Sequence, residues 1–594
     1  MKATLEKRIR QYVLSTWPAW LFGLAAAFYA LTLVRMLRPF MFNPRWTTDD
    51  ALQQLYPFYK VLNPALFPGD LITKMMECYL LPLHYWITAA LTLLTRNPIL
   101  AGHAVMLIQI VLALFFMFLA VRAAAGTAAG WAALLWLLHT RHVMQRLTGG
   151  LPRGWAAPLL TAYLYYVLKG SHRGVLAVLA IGCILHPMSA LVCALAYGLL
   201  LLYRCLRRET RAVWWPTLKL YLLLSPLYLI LVLSVVRMPA EIGRMVDYQT
   251  ALQMPEFQSP NGRFPYTPLA PATFEIRYFG FMAFLGKFYK PLPEIRFLLP
   301  YVVAALVIGL LVLGWRRKRA FIPDALICYL IAIFCVYFAS RLLAFRLYVP
   351  DRHLQFPLAM FFISALTIGA WRLGSGRLWR STACVVAMLA LTVIGSGTGL
   401  ERVMKVNFYN FNTYLDDQYR VFRWLRDHTP EDALIAGQPT HMDKVQLVAE
   451  RSGFVTSETA HPFFDRYAAE MRRRLEINLK AYYAANLREL VDLLQPEGID
   501  YFVFRRRDFR REVIAKATYY SPFEELMTKL IARPSGQYAF WELPQEYNPE
   551  LYPFVVYRDG LAVVVDIRAL REYLSLSKGS PQAENAQNIA GGVS

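Results

Sequence analysis

Charge is scarce in this chain. Asp, Glu, Lys and Arg make up 17% of its 594 residues, where a water-soluble chain carries about 25%. The shortfall is concentrated in the first two-thirds, in long apolar runs, which excludes an ordinary globular enzyme for that part and places the chain in the membrane class. Cysteine is missing after residue 400. The seven present (Cys78, Cys183, Cys193, Cys205, Cys328, Cys335 and Cys384) sit mostly in apolar runs without CxxC spacing. A disulfide framework or a thiolate metal site is therefore not expected; these are small buried hydrophobes, and the tail must be held by an ordinary core. P-loop, dinucleotide-turn, GxSxG and HExxH patterns are all absent, so nucleotide-driven transport and membrane proteolysis by those routes lose support. No small-residue cleavage site follows the apolar run 18–36, and no cleavable signal is expected. The excess of 63 basic over 40 acidic residues, +23, lacks the aromatic interleaving of a single-stranded nucleic-acid surface. No nucleic-acid partner is expected. Much of the excess sits in short loops, where it sets orientation and meets anionic lipid.

What is present is a series of apolar stretches near the length of about 20 residues that a helix needs to span a bilayer. They fall at 18–36, 79–96, 99–121, 155–169, 174–188, 189–203, 217–236, 297–315, 322–340, 354–371 and 381–398. Basic clusters assign the sides: Arg204, Arg207, Arg208 and Arg211; Arg316, Arg317, Lys318 and Arg319; Arg372, Arg377 and Arg380, with Lys2, Lys7, Arg8 and Arg10 at the start. Placing all of them in the cytoplasm requires an even number of spans between clusters, and two are available each time. Residues 127–139 would invert the parity if they crossed, but thirteen residues are too few to span straight. The expectation is an α-helical polytopic core over 1–399 with about eleven spans, inserted in a bacterial-type inner (cytoplasmic) membrane. The N-terminus lies inside, and the outer loops are 37–78 and 237–296.

After Gly399 charges become frequent and apolar residues recur at helical or alternating spacing. Residues 415–428 read as an amphipathic helix ending at Thr429-Pro430, and 462–494 as mostly helix. Ala433–Ala436 and Tyr501–Phe504 read as short buried strands, and Val555–Ile567 as a hairpin around Asp559-Gly560. This makes 400–580 a soluble extracytoplasmic α/β domain, followed by a disordered tail at 581–594.

Three groups of residues could carry chemistry. In the first outer loop Asp49-Asp50 precede Gln53, Gln54, Tyr56, Tyr59 and, further on, Asp70. One of the pair could serve as a general base on a hydroxyl near the bilayer surface. Equally, both could be first-turn carboxylates favoured by the helix dipole and capped by Thr47 or Thr48. Asp70, after Pro68-Gly69, reads as a turn or cap residue. The second group is Arg341, Arg346 and Arg352 with Tyr348 and His353. Planar guanidinium forks suit phosphate oxygens, and outer arginines run against the inside-positive bias, so they call for an anionic partner; snorkelling to headgroups is the plainer reading. Third, Arg146 precedes Thr148-Gly149-Gly150, and His186-Pro187 interrupts an apolar stretch as an ionisable group at membrane depth. Arg263 and Tyr266, in Arg263-Phe264-Pro265-Tyr266, suit a sugar or lipid headgroup, or simple packing. His139 and His142 lack a carboxylate in metal-ligand spacing, so no metal site is assigned, no cofactor is expected, and a divalent ion has no support in the pattern.

The layout resembles the GT-C superfamily of polyprenyl-phosphate-sugar-dependent glycosyltransferases. The likeness is carried by the acidic first outer loop after span one, the RxxxG-like segment Arg146–Gly150, the polytopic core and the α/β tail. The phrase FRWLRDHTPEDALIAGQP, Phe422–Pro439, is similar to the entry of the domains behind such cores. The resemblance implies a catalytic acid at Asp50, with Asp49 next in line. It implies a lipid-phosphate donor held by the outer arginines, and inverting transfer of a sugar to a saccharide, lipid or protein acceptor. The second acidic motif of the oligosaccharyltransferase branch would fall near Pro152-Arg153, where this chain has no carboxylate, which points to metal-independent, monosaccharide-type transfer. The competing reading is a transporter or flippase for lipid-linked saccharides, or an assembly scaffold. A transporter would carry paired repeats with broken helices and midplane ionisable groups, and His186 has no clear second-half counterpart.

Overall fold

The computed structural model describes residues 2–207, 211–235, 238–258, 260–264, 271–281, 293–374, 377–395, 411–412, 419–533 and 537–576. The chain divides into two units. One comprises Met1–Thr48, Leu80–Arg237 and Thr267–Asn410; the other comprises Asp49–Tyr79, Met238–Tyr266 and Phe411–Ser594.

The first unit is helical. Within the described residues each of the eleven apolar stretches is mainly helical, 174–188 being broken at His186-Pro187. Among the described residues six helices are long and apolar enough to cross a membrane: Thr16–Leu37, Pro98–Ala125, Pro187–Leu206, Arg211–Leu233, Asp324–Leu342 and Arg352–Leu373. Others, including His172–Leu185 and Leu378–Ala390, are apolar but shorter. Arg352–Leu373 is the hub: residues from His353 to Ala370 are buried without a break, as befits a helix that is apolar all round. Thr127–His139 packs against Pro98–Ala125 and Lys2–Leu37, with Ala128, Ala129, Ala132 and Ala133 buried at the contacts. Small residues there let the backbones approach closely. The break at 186–187 has a local cause. Pro187 cannot continue the preceding helix, and His186 becomes the cap of the next one, its Nδ1 accepting from the Ser189 N–H at 3.2 Å.

The second unit is an α/β domain built on a five-stranded mixed sheet. Its strands are β1 (Leu434–Gly437), β2 (Ser452–Gly453), β3 (Tyr501–Arg505), β4 (Val555–Arg558) and β5 (Ala562–Asp566). The sheet order is β2-β1-β3-β5-β4. Strand β1 runs parallel to both β2 and β3, and β5 is antiparallel to β3 and β4. The β4–β5 turn is closed by Asp559, whose Oδ1 accepts from the N–H groups of Leu561 and Ala562 at 2.8 and 2.7 Å. Helices Arg420–His428, Asp465–Tyr482 and Leu487–Leu494 match the sequence expectation. Residues 415–418 and the expected disordered tail 581–594 lie outside the described residues.

Pieces of the two loops 37–78 and 237–296, assigned to the helical core from sequence, join this second unit. Tyr59 donates to the Leu447 carbonyl at 3.2 Å, and Asn63 donates to Glu431 at 3.0 Å. Val246 N–H donates to the Phe463 carbonyl at 2.9 Å. Arg472 grips Glu256 through its Nε and Nη2 at 2.7–2.9 Å, a charge-assisted geometry stronger than a neutral bond. These partners are separated by hundreds of residues, and no local pattern announces them.

Candidate active site

The candidate acid sits on the short helix Asp49–Gln54 of the α/β unit. Asp49 is exposed and Asp50 half-buried. The Asp49 Oδ1 accepts the Asp50 N–H at 2.9 Å, so the first carboxylate is partly spent on the helix start, the role the dipole argument assigns to it. Gln53 lies three residues beyond Asp50, hence on the same helical face. Its Nε2 donates to Glu458 Oε2 at 3.1 Å.

Glu458 is a residue that sequence reading passed over. It stands in a stretch without periodicity, and its neighbours are set by the fold. Its own N–H donates to Asp443 Oδ1 at 2.8 Å. Arg263 Nη2 donates to its carbonyl at 3.1 Å and approaches Oε2 at 3.7 Å. The Arg263 guanidinium also lies over the rings of Phe264 and Tyr520, at 5.4 and 5.5 Å. Arg263 is therefore built into the same cluster as the acid helix, whereas Tyr266, its companion in the sequence reading, lies outside the described residues. Burial raises the Glu458 carboxyl above its ordinary value, and the charges of Asp50 and Asp49 push the same way, with Arg263 opposing. His461, half-buried beside them with its Nδ1 3.4 Å from the Tyr79 hydroxyl, is pushed down to about 3, first by desolvation and then by Arg263. It stands neutral at physiological pH. Asp70 is the cap the sequence suggested: it accepts from Ile72 N–H, Thr73 N–H and Thr73 Oγ1 at 3.2, 3.0 and 2.6 Å.

Burial pushes Asp443 up to about 7 from 3.8. A carboxyl whose affinity for a proton is higher in the folded state adds stability at low pH. That contribution is complete below about pH 4 and disappears as pH rises through about 7. The α/β unit is therefore expected to lose up to about 4 kcal/mol across that window, and Asp443→Asn, which keeps an acceptor for the Glu458 N–H, should flatten the dependence. Urea unfolding of wild type and variant at a series of pH values checks this. Parallel curves would reject the assignment.

The arginine group lies in the helical unit. The sequence argument required an anion near these outer arginines, and the fold supplies two carboxylates of its own. Arg341 Nη1 meets Glu275 Oε2 at 2.5 Å, and the same oxygen accepts from the Tyr337 hydroxyl at 2.7 Å. Glu275 is completely buried. Its carboxyl is raised by burial, against the pull of Tyr337 and Arg341. Arg352 lies 3.9 Å from Asp351 and donates to Gln355 at 3.4 Å. His353 is buried and donates from Nε2 to the Leu347 carbonyl at 2.7 Å. Arg346 is exposed and, among the described residues, has no side-chain partner. Beside it Tyr348 holds φ +70° and ψ −174°, a region essentially reserved for glycine, which costs about 1–3 kcal/mol and tends to be retained at functional segments. Glu275 had one sequence signal, a lone acid amid Phe274, Ile276, Tyr278 and Phe279.

Arg146 is half-buried, and its carbonyl accepts from Arg153 Nε at 3.3 Å. The segment after it is bound by backbone contact: Gly150 has φ +66°, and a Cβ there would fall on the Gly102 carbonyl, so only glycine fits. His186 serves as a helix cap. Among the described residues no group of three or more His, Cys, Asp or Glu side chains is arranged to hold a metal ion.

No protein-family profile matches the chain, and no curated protein does. Solved structures do. The Archaeoglobus fulgidus oligosaccharyltransferase tethered with an acceptor peptide containing the NVT sequon is similar over 90% of this chain and 76% of that one, at 11% identity and a TM-score of 0.50. The complex of the A. fulgidus oligosaccharyltransferase with Zn and sulfate matches 85% of this chain and 70% of that one, at 13% identity and a TM-score of 0.49. Apo ArnT from Cupriavidus metallidurans matches 91% and 98%, at 13% identity and a TM-score of 0.43. At such identities the likeness is one of fold: a polytopic helical part with an α/β domain.

Proposed function

We propose that this chain is a membrane glycosyltransferase of the GT-C type, moving a sugar from a polyprenyl-phosphate-linked donor to an acceptor hydroxyl at the outer face of the cytoplasmic membrane. The observation that carries this reading is the fold likeness to an oligosaccharyltransferase over nine-tenths of the chain. It is supported by a half-buried carboxylate, Asp50, at the start of a short helix, and by an exposed arginine, Arg346, that has no side-chain partner among the described residues. In this reading the N-terminus is cytoplasmic, about eleven helices cross, and the α/β unit is extracytoplasmic.

Asp50 takes the proton of the acceptor hydroxyl as that oxygen attacks the anomeric carbon. The bond from that carbon to the lipid phosphate breaks on the opposite face, giving inversion, and the electron pair leaves on the phosphate. Its charge is met by a guanidinium. Arg346 is the candidate for this because, among the described residues, its side chain has no partner; Arg341 and Arg352 already face Glu275 and Asp351. The acceptor is a hydroxyl-bearing saccharide, lipid or protein.

The acid is tested by Asp50→Asn in a turnover assay. The arginine is tested by Arg346→Ala, expected to raise the donor KM about tenfold while changing kcat little, the signature of lost ground-state binding. Equal effects on donor and acceptor KM would remove Arg346 from the donor site.

A further inference from the structure

Glu458, in a stretch with no catalytic candidate of its own, is the centre of a cluster that reaches the acid helix Asp49–Gln54. Two hydrogen bonds join at this residue: Gln53 Nε2 to its carboxylate at 3.1 Å, and its own N–H to Asp443 at 2.8 Å. Arg263 closes a third side through the Glu458 carbonyl. The segment carrying Glu458 is itself stiff. Thr456 and Thr459 hydroxyls bond at 2.7 Å, Thr459 N–H donates to Thr456 Oγ1 at 3.2 Å, and the Tyr467 hydroxyl holds the Thr459 carbonyl at 2.8 Å. The helix Asp49–Gln54, by contrast, has only six residues, too few to hold its own orientation without tertiary contacts. Gln53 is buried while Asp50, on the same face, is half-buried, so the bond to Glu458 anchors the inner end of the acid helix.

We propose that Glu458 is a positioning residue for Asp50: the α/β domain, through the Glu458–Gln53 bond and the Arg263 brace behind it, sets where the catalytic carboxylate points. The inference rests on the reading of Asp50 as the base. It assigns to a segment 405 residues downstream in sequence a direct share in the first loop's chemistry. An angstrom of misplacement in a base costs up to about a hundredfold in rate, so one anchoring bond is expected to matter more for kcat than for donor binding.

The test uses the full chain in nanodiscs, with farnesyl-phosphate-linked glucose, mannose, galactose and arabinose as donor probes, water as the stand-in for the acceptor hydroxyl, and released farnesyl phosphate as the signal. Glu458→Ala and Gln53→Ala should each lower kcat about tenfold with donor KM within about twofold, and the double variant should lose little more than either single one. Glu458→Gln, which keeps an acceptor oxygen for Gln53, should recover to within about threefold of wild type. Asn63→Ala, which cuts the Asn63–Glu431 bond elsewhere in the same loop, should leave kcat unchanged. A second readout needs no substrate: amide hydrogen exchange of the peptide covering Asp49–Gln54 should quicken in Glu458→Ala and Gln53→Ala and stay unchanged in Asn63→Ala. Additive losses, unaltered exchange in that peptide, or an Asn63→Ala effect of equal size would overturn the proposal. An inactive Asp50→Asn beside a fully active Glu458→Ala rejects positioning alone, whereas an active Asp50→Asn rejects the base.

Discussion

Asp50→Asn is expected to lower glycosyl transfer by about a hundredfold or more, the contribution of a positioned general base, while the protein expresses and folds as before. The substitution is nearly isosteric. The half-buried side chain keeps its volume, and the helix start keeps the Asp49 Oδ1 that accepts the residue-50 N–H. What disappears is the ability to take a proton. Asp49→Asn provides the contrast: that side chain is exposed and engaged with the backbone, so its loss should change turnover by no more than about threefold. Measuring kcat for both variants, with melting curves to verify the fold, separates a base from a first-turn carboxylate. Retained turnover in Asp50→Asn would remove the transferase mechanism in its present form.

The second large effect concerns stability. Arg341→Ala is expected to destabilise the helical unit by about 3–5 kcal/mol, because it leaves the Glu275 carboxylate buried with only the Tyr337 hydroxyl for company. The pair itself need not be strongly stabilising; breaking one side of it is what costs. The paired change Glu275→Gln with Arg341→Met should therefore recover most of the loss, since no unpaired charge remains. Thermal inactivation of the detergent-solubilised full chain measures both. If Arg341→Ala melts like wild type and instead raises only the donor KM, Arg341 is a donor ligand and the contact with Glu275 is incidental.

The first two groups of candidate residues differ in how far they could be read in advance. Asp49 and Asp50 were visible because two adjacent carboxylates after an apolar run are rare and costly, and Asp70 had a local cap signature. The Thr48 hydroxyl, one of the two expected caps for the acid helix, is instead buried with no hydrogen-bond partner among the described residues. Arg341, Arg346 and Arg352 were visible because the charge rule assigns them to the side where basic residues are expected to be avoided. What could not be read was their state of commitment. Arg341 pairs with an acid 66 residues away, Arg352 with its own neighbour, and Arg346 stands exposed. Nothing in the spacing distinguishes the three. Glu458 is the same case in the other direction: an unremarkable acid in an aperiodic loop, made significant by Gln53 at a separation of 405 residues.

Apolar runs of helical length, charge in the connecting loops and the change of composition near residue 400 are local properties, and they sufficed for the membrane bundle, its helices and the α/β character of the tail. Alternation and turn chemistry likewise sufficed for the strands at 434–437 and 501–505 and for the Asp559-Gly560 hairpin. The membership of residues 49–79 and 238–266 in the tail's unit, the buried Glu275–Arg341 pair and the anchoring of the acid helix were decided only by the tertiary structure. Their cause is long-range closure. A hydrogen bond or ion pair between distant segments forms where the packed core brings the groups together, and neither partner's immediate neighbours carry a trace of it.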